Sequence, residues 1–336
     1  MPAGLLVRLR PAGPWRIGPA TGARNRADAI YHSDTLYAAI TCAMRDLGFL
    51  EPWLRETAEA PSSAVRFTSC YPFQRKTLFV VPPKSLWPPL PSARLRYRGA
   101  RFVAMPFLEA LLGDEPIDET RWLVDGASEC LMPSDRNEGP FRTTVRTSAA
   151  VDRLNPAAVE PHHAAGIEFS PGCGLWFMAT FADDDARRRW VDPVCAALTL
   201  LADTGFGGKR TSGWGACERP EFFDGDLKGM LPSARWDDAA EGERGWWLLS
   251  LFTPSEHDAV DWRRGHYGAV TRGGRMTTGQ LKRSGTMVEE GSVLVCPEAP
   301  TGNARNVAPD GAPHPVYRAG FAVSIPIALR PTQVPS

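Results

Sequence analysis

The sequence predicts an α+β fold in which strands outnumber helices, and three patterns support this prediction. Residues 5–11, LLVRLRP, alternate apolar and basic side chains as a half-buried strand does. Residues 33–48 and 183–205 instead repeat apolar side chains at helical spacing, with polar residues at the start and glycine at the end. The 31 glycines and 31 prolines exceed ordinary usage, which indicates long loops on a strand-rich scaffold.

The two helices are predicted from their ends as well as from their apolar faces. Ser33 is a plausible cap of the first helix, Asp34 lies in its first turn, and Gly48 ends it. Three aspartates at 183–185 favour the positive start of the second helix, and Gly205 follows its last apolar residue. Each helix is therefore placed between strands.

Two strand-like runs, residues 141–155 and 166–181, enclose a segment that is poor in large apolar residues. This pattern predicts a long protruding hairpin with a mobile tip. Arg142 and Arg146 lie in its first arm, and Asp152 and Arg153 lie near its bend.

The order strand, helix, strands, helix, strand is the ferredoxin-like plan, which RNA-recognition domains share. We assign it to residues 1–222. The acidic, aperiodic segment 223–245 is predicted to be a linker, and the apolar strand WWLLSLFTP opens a second domain, residues 246–336. We expect two ferredoxin-like domains with long insertions, although the helical signals of the second are weak.

Charge and composition exclude several classes of protein. The 38 basic and 38 acidic residues balance, which argues against coating nucleic acid by bulk charge but leaves room for a local basic groove. No apolar run is long enough to span a membrane, and the N-terminus is too charged for a signal peptide. Seven scattered cysteines are typical of a reducing compartment. We expect a cytoplasmic protein without a metal or cofactor.

The stretch GFGGKRTSGWGACE, residues 205–218, is the strongest functional signal. Glycine lets backbone N–H groups close on an anion, and lysine and arginine supply the countercharge. The sequence therefore predicts a phosphate-contacting loop. Its candidate residues are Gly205, Gly207, Gly208, Lys209, Arg210, Thr211, Ser212, Gly213 and Gly215.

Other interpretations of this loop are weaker. A Walker A loop needs glycine where Asp203 stands and serine or threonine where Arg210 stands. Walker and Rossmann loops also run from a strand into a helix, whereas this loop leaves a helix and enters a strand. A helix-capping turn explains one or two glycines and remains an alternative.

The glycine-rich loop resembles that of the RAMP superfamily, the ferredoxin-like RNA-binding proteins of CRISPR systems. Three further stretches, YHSDTLYAAI, YPFQRKTLFVVPPKSLWP and LKRSGTMVEEGSVL, narrow the resemblance to the type III-A (Csm) effector complex. The four together are similar to the subunit that caps the 5′ end of the crRNA. The resemblance runs from about Leu5 to Ile327.

The resemblance implies a non-catalytic subunit that grips the 5′ repeat-derived tag of the crRNA. It implies contacts with the large signalling subunit and the first backbone RAMP subunit, and with target RNA only through the complex. The glycine-rich loop would line the tag, and the hairpin would be a thumb beside it. The other candidate RNA contacts are His32, Ser33, Arg142, Arg146, Arg153, Lys282 and Arg283.

Two rival functions remain open. Some RAMP relatives cut crRNA precursors without a metal, which requires a general acid and a general base. His32, His162 and His163 are the candidates; we expect the helix dipole to lower the pKa of His32, and the mobile tip to carry the other two. Target-RNA slicing in related complexes instead uses an aspartate on a loop of the filament subunits. Asp34 and Asp152 are the acids near the presumed RNA surfaces here, and we expect Asp34 to be a first-turn helix residue and Asp152 a turn or ion-pair residue. The third possibility is a binding module without an RNA role, which the Trp-Pro segments would suit.

Overall fold

A computed structural model describes residues 4–19, 23, 25–89, 97, 99–151, 159–226, 229, 244–276 and 279–329. The α+β class is confirmed. The described helices are α1 Ser33–Asp46, α2 Leu50–Glu56, α3 Met105–Leu112 and α4 Asp184–Thr204. The strands are β1 Gly4–Leu9, β2 Val65–Phe67, β3 Tyr71–Gln74, β4 Thr77–Val80, β5 Phe102–Ala104, β6 Trp122–Asp125, β7 Cys130–Pro133, β8 Phe141–Val151, β9 Val159–Phe169, β10 Cys173–Phe181, β11 Glu221–Gly225, β12 Arg244–Leu248, β13 Ala269–Arg272, β14 Gly285–Val288, β15 Val293–Leu294, β16 Gly302–Asn306, β17 Tyr317–Phe321 and β18 Ser324–Ala328.

The main sheet has nine strands, in the order β11-β1-β10-β3-β4-β5-β7-β6, with β2 also paired to β10. β1 lies between β10 and β11 and is antiparallel to both. Its alternate residues Leu5, Val7 and Leu9 are buried in one apolar core with residues of α1 and α4. The alternation that predicted this strand therefore reflects one buried face.

Both long helices begin close to the expected residues, but the cap of α1 differs from the prediction. Asp183, one of the three aspartates predicted at the start of α4, is its N-cap, because its side chain accepts a hydrogen bond from Ala186 N–H at 2.7 Å. The N-cap of α1 is His32, whose own side chain makes no capping bond, and the Ser69 hydroxyl accepts a hydrogen bond from Ser33 N–H at 2.9 Å. The Ser33 hydroxyl instead accepts a hydrogen bond at 3.0 Å from the N–H of Leu251, which lies in the C-terminal half. A tertiary contact replaces the local cap.

A hairpin is formed by β8 and β9, which pair in register from Phe141↔Phe169 to Val151↔Val159. The predicted second arm, residues 166–181, was misplaced, because it covers only the end of β9 and then β10, which pairs with β1 in the main sheet. His162 and His163 lie within β9, so their placement at the mobile tip was wrong. Strand pairing continues through both histidines, because His162 pairs with Ser148 and His163 with Thr147 of β8. Asp152 and Arg153 lie outside the described residues.

The C-terminal half differs most from the prediction. The described part of residues 244–329 contains strands β12 to β18 and no helix, so the second β-α-β-β-α-β order is not found there. Glycine recurs too closely for a helix to propagate, as at Gly273, Gly274, Gly279 and Gly285. Strand β11 continues to Gly225 and β12 begins at Arg244, so both strands extend into the segment assigned as a linker, most of which lies outside the described residues.

The two halves share one apolar core. Phe321, Val323 and Ile325 belong to the same cluster as Leu36 and Ile40 of α1. The Phe321 ring lies edge-on to Tyr37, with 5.7 Å between ring centroids. None of the described helices is long and apolar enough to cross a membrane.

Candidate anion-binding groove

The glycine-rich loop, residues 205–218, is anchored between α4 and the segment that follows β1. The Phe206 ring stacks on Trp15 at 5.0 Å between centroids. Gly208 N–H donates to the Arg16 carbonyl at 2.9 Å, and Gly215 N–H donates to the Pro14 carbonyl at 3.0 Å. The loop is therefore tied on both sides to the protein's own backbone.

Most of the glycines serve this internal packing. Gly207 has φ +73°, and a Cβ there would lie 2.5 Å from the Arg16 carbonyl oxygen. Gly215 has φ +83°, and a Cβ there would overlap the Phe206 carbonyl. Gly208 is not among the glycines with positive φ, and a Cβ there would meet only the Arg16 side chain, at 3.3 Å or more. Close backbone approach thus explains more of these glycines than the one or two that a capping turn requires.

The exposed part of the loop is a single turn that begins with three consecutive backbone N–H groups. Lys209 is left-handed (φ 60°, ψ 28°), and Arg210–Ser212 forms a 3₁₀ turn. The turn's first internal bond runs from Ser212 N–H to the Lys209 carbonyl at 2.9 Å, so the amides of Lys209, Arg210 and Thr211 precede it. A left-handed residue followed by a right-handed one turns successive N–H groups to one side, which forms a concavity for an anion.

A groove of about 560 Å³ separates this loop from the C-terminal half. One wall is a face of α1 that presents the small side chains Thr35, Ala38, Ala39 and Cys42. None of the described residues that line the groove is acidic. Its basic residues come from both halves of the chain: Arg16, Arg45, Arg210, Arg272, Arg275 and Lys282.

Lys282 is a half-buried cation in the lining of the groove. Burial and the nearby charge of Arg318 hold the pKa of the Lys282 ammonium below its usual value. The charge of Arg318 adds to the positive field at Lys282, Asp34 opposes it, and burial acts by removing water from the ammonium. A polyanion in the groove would supply the negative charge that these basic side chains lack, beside the small side chains of α1.

His32 is one of the residues that line this groove, but the polar atoms of His32 and Ser33 already bond within the protein, so we do not propose either as a phosphate contact. Both side chains are buried, and His32 Nδ1 lies 2.7 Å from Glu290 and its Nε2 lies 3.0 Å from Asp28. Burial alone would lower the pKa of His32, but Glu290 and Asp28 raise it to about 9. The predicted lowering of this pKa was wrong because two carboxylates outweigh the helix dipole and the burial.

The two hairpin arginines share one acidic partner, and Arg146 lies beside the glycine-rich loop. Arg142 and Arg146 both pair with Glu168, at 3.3 and 2.8 Å. The Arg146 guanidinium and the Lys209 ammonium each lie over the Trp214 ring, at 5.6 and 5.5 Å from its centroid. These contacts bring the base of the hairpin next to the glycine-rich loop. Arg153 lies outside the described residues.

The basic stretch of the C-terminal half contributes to the groove differently from the expectation. Lys282 lines the groove, whereas its neighbour Arg283 is exposed and pairs with Asp310 at 2.6 Å. Sequence analysis missed Arg272 and Arg275, which line the groove and stand in the same glycine-bearing stretch as Lys282. It also missed Arg16 as a site residue, because its role depends on the loop folding over it.

Comparisons with known proteins agree on one family of subunits. Residues 241–327 match the family model described as the CRISPR Csm4 C-terminal domain. A search of curated protein sequences found no significant match.

Solved structures match over nearly the whole chain. A chain in the crystal structure of a Csm3-Csm4 subcomplex of a type III-A CRISPR-Cas interference complex has a TM-score of 0.65 at 15% identity, covering 96% of this chain and 99% of that chain. Chains in Csm1-Csm4 cassettes with pppApA and with AMPPNP have TM-scores of 0.59 and 0.58 at 18% identity, covering 98% of this chain and 99% and 100% of those chains. These likenesses establish the fold, and the resemblance to a Csm-type RAMP subunit is confirmed.

Proposed function

We propose that this chain, with its Csm4-like fold, is a non-catalytic RNA-binding subunit of a type III-A CRISPR ribonucleoprotein. It holds the 5′ repeat-derived tag of the crRNA in the groove between its two halves. The observation that carries the proposal is the groove itself, which six basic side chains line without an acidic residue among its described lining; one of the six, Arg210, belongs to the exposed turn of the glycine-rich loop.

The geometry favours contact with a nucleotide backbone. The amides of Lys209, Arg210 and Thr211 suit one phosphate, and the side chains of Arg210, Arg275 and Lys282 suit its neighbours. Such contacts neutralise charge whatever the base, so the affinity of this surface depends on salt and little on tag sequence.

We assign the ferredoxin-like plan to the N-terminal half and the role of thumb to the β8–β9 hairpin. The antiparallel order β11-β1-β10-β3, with α1 after β1 and α4 after β10, supports the first assignment. The bond from Arg16 Nη1 to the Ala165 carbonyl, at 2.8 Å, supports the second, because it joins the hairpin to the groove.

The similar structures support a choice of partners. These pair Csm4 with Csm1, the large subunit, and with Csm3, the backbone subunit. We propose that this chain contacts the corresponding large signalling subunit and first backbone subunit, and meets target RNA through the assembled complex.

The positions of the histidines favour holding RNA over cutting it. Metal-independent cleavage needs an acid and a base within hydrogen-bond reach of the reacting oxygens. His32 is buried between two carboxylates, and His163 lies on the hairpin with its Nδ1 3.0 Å from the Thr147 hydroxyl. His314 lines the groove without a described carboxylate in the lining to act with it.

The test is to assemble the chain with its neighbouring subunits and compare crRNAs with and without the 5′ tag. We expect tight binding that requires the tag, a footprint over the tag, and intact RNA after long incubation without metal. RNA trimmed at the tag would assign cleavage to the chain. Equal binding of tagged and untagged RNA would show that the groove does not hold the tag.

A further inference from the structure

Three consecutive residues at the start of α1 each bond to the C-terminal half. His32 Nδ1 lies 2.7 Å from Glu290, and the Ser33 hydroxyl accepts from Leu251 N–H. Asp34 accepts two hydrogen bonds from Arg272, from Nε at 3.1 Å and from Nη2 at 2.9 Å. We call His32–Asp34 the clasp. All three side chains are buried.

The residue that Asp34 holds is the base of a basic arm, which we define as residues 272–276 and 279–285. Arg272 is the last residue of β13, and the arm returns to the start of β14. Within the arm, Lys282 N–H donates to the Gly274 carbonyl at 2.9 Å, so Arg275 and Lys282 are carried together to the groove.

Arg318 fixes the other side of the same arm. Its Nη2 donates to the Gly273 carbonyl at 2.9 Å, and its Nη1 donates to the Arg283 carbonyl at 3.1 Å. Its Nε also lies 3.9 Å from Asp34. Asp34 therefore stands between the two arginines that hold the arm.

We infer that the clasp residues are positioning residues for RNA binding, which fix the basic arm opposite the glycine-rich loop without touching RNA. This inference rests on the proposed function. Helix α1 begins at the clasp and also forms a wall of the groove, so one rigid element sets both the wall and the arm. A bidentate, buried carboxylate–guanidinium pair fixes orientation more strictly than it adds stability.

Salt dependence separates positioning from simple stability. Each phosphate that a lysine or arginine neutralises adds about 0.7 to the slope of log K against log salt for single strands. Loss of folded protein lowers the amount that binds and leaves the slope of the remaining protein unchanged. Displacement of the arm removes the contacts of Arg275 and Lys282 and flattens the slope.

The test uses the assembled complex and tag-bearing crRNA. We expect Asp34→Asn to weaken binding at least tenfold and to lower the slope by about 1.4, the value for two phosphates. Arg275→Ala with Lys282→Ala should give the same loss, and adding Asp34→Asn to that pair should lower the slope no further. Asp310→Asn is the matched control, because Asp310 is exposed and pairs with Arg283 outside the groove lining.

An unchanged slope in Asp34→Asn, or a further fall of the slope in the triple variant, would overturn the inference. If Asp34→Asn does not fold, Ser33→Ala replaces it, with a smaller loss in the same direction expected.

Amide hydrogen exchange of the RNA-free chain gives a second readout that does not depend on RNA. We expect faster exchange in β13 and β14 of Asp34→Asn, with β1 and β10 unchanged. Equal protection of the arm in both proteins would refute the clasp even if RNA binds. If the wild-type complex does not bind tagged RNA, the proposed function is wrong, and so is the inferred role of the clasp in RNA binding. Hydrogen exchange would still show whether Asp34 holds the arm in place.

Discussion

The carbonyl of Gly215 accepts a hydrogen bond from the N–H of Phe206 at 2.9 Å, so the two ends of the exposed turn meet inside the protein. The α-carbon of Gly215 stands against the Phe206 carbonyl with no room for a side chain. The loop is therefore closed on itself between Phe206 and Gly215, and residues 207–213 between these two buried positions reach solvent.

This contact predicts that two glycines of the same loop respond differently to substitution. Gly215→Ala places a Cβ against a carbonyl and strains a left-handed residue, so we expect a loss of more than about 1–2 kcal/mol in the free energy of unfolding. Gly208→Ala meets only the flexible Arg16 side chain, so we expect a change within about 0.5 kcal/mol. Urea unfolding of both variants and the wild type measures the difference, and equal losses would refute this account of the loop.

The exposed turn predicts a salt effect of defined size. In the assembled complex, Lys209→Ala with Arg210→Ala should weaken binding of tagged crRNA and lower the salt slope by about 1.4, because two cations leave the phosphate backbone. The loss should be similar for any tag sequence. Binding isotherms from low to high salt provide the measurement. A slope equal to that of the wild type would show that neither side chain neutralises a phosphate.

The glycine-rich loop could be predicted from the sequence because its signals are local. Glycine density, two adjacent cations and the end of an amphipathic helix all stand within residues 198–218. The groove could not be predicted, because Arg272, Arg275 and Lys282 reach the loop only after the C-terminal strands pack on α1. No spacing in the sequence encodes that packing.

The errors at the start of α1 have one physical cause. Rules for helix caps and dipoles treat a helix N-terminus as if it faced water. Here the C-terminal half covers it, so Ser33 bonds to Leu251 and His32 meets Glu290. Strand β1 and helices α1 and α4 were predictable because each has its own apolar period, whereas the short helices α2 and α3 were not predicted. The C-terminal half lacks such periods among its many glycines and prolines.

Two adjacent residues of the basic arm provide a matched comparison. Lys282 lines the groove, whereas Arg283 points to Asp310. We expect Lys282→Ala to weaken crRNA binding and to lower the salt slope by about 0.7, the contribution of one phosphate to a single strand. Arg283→Ala should leave both unchanged, since it removes an exposed pair worth about 0–1 kcal/mol of stability. Equal effects of the two substitutions would contradict the assignment of the groove.

The clasp histidine predicts a fall in stability toward alkaline pH. Glu290 and Asp28 raise the pKa of His32 to about 9 against its burial, whereas an unfolded histidine titrates near 6.5. A group whose pKa rises on folding stabilises the protein fully below its unfolded pKa, and that contribution is lost as the pH rises through the folded value. We therefore expect the free energy of unfolding to fall between pH 6.5 and 9, by up to about 3 kcal/mol.

The carboxylates that contact His32 give the free energy of unfolding the opposite dependence on pH. Burial alone would raise the pKa of Glu290 and of Asp28, but His32 holds both values below the usual range. The stability that these carboxylates contribute is therefore present at neutral pH and is lost on acidification. Urea unfolding at a series of pH values measures both slopes. His32→Gln should abolish the alkaline slope, and His257→Gln, at an exposed position, should keep it. An alkaline slope that survives in His32→Gln would place its origin in another group and would remove His32 as a charged member of the clasp.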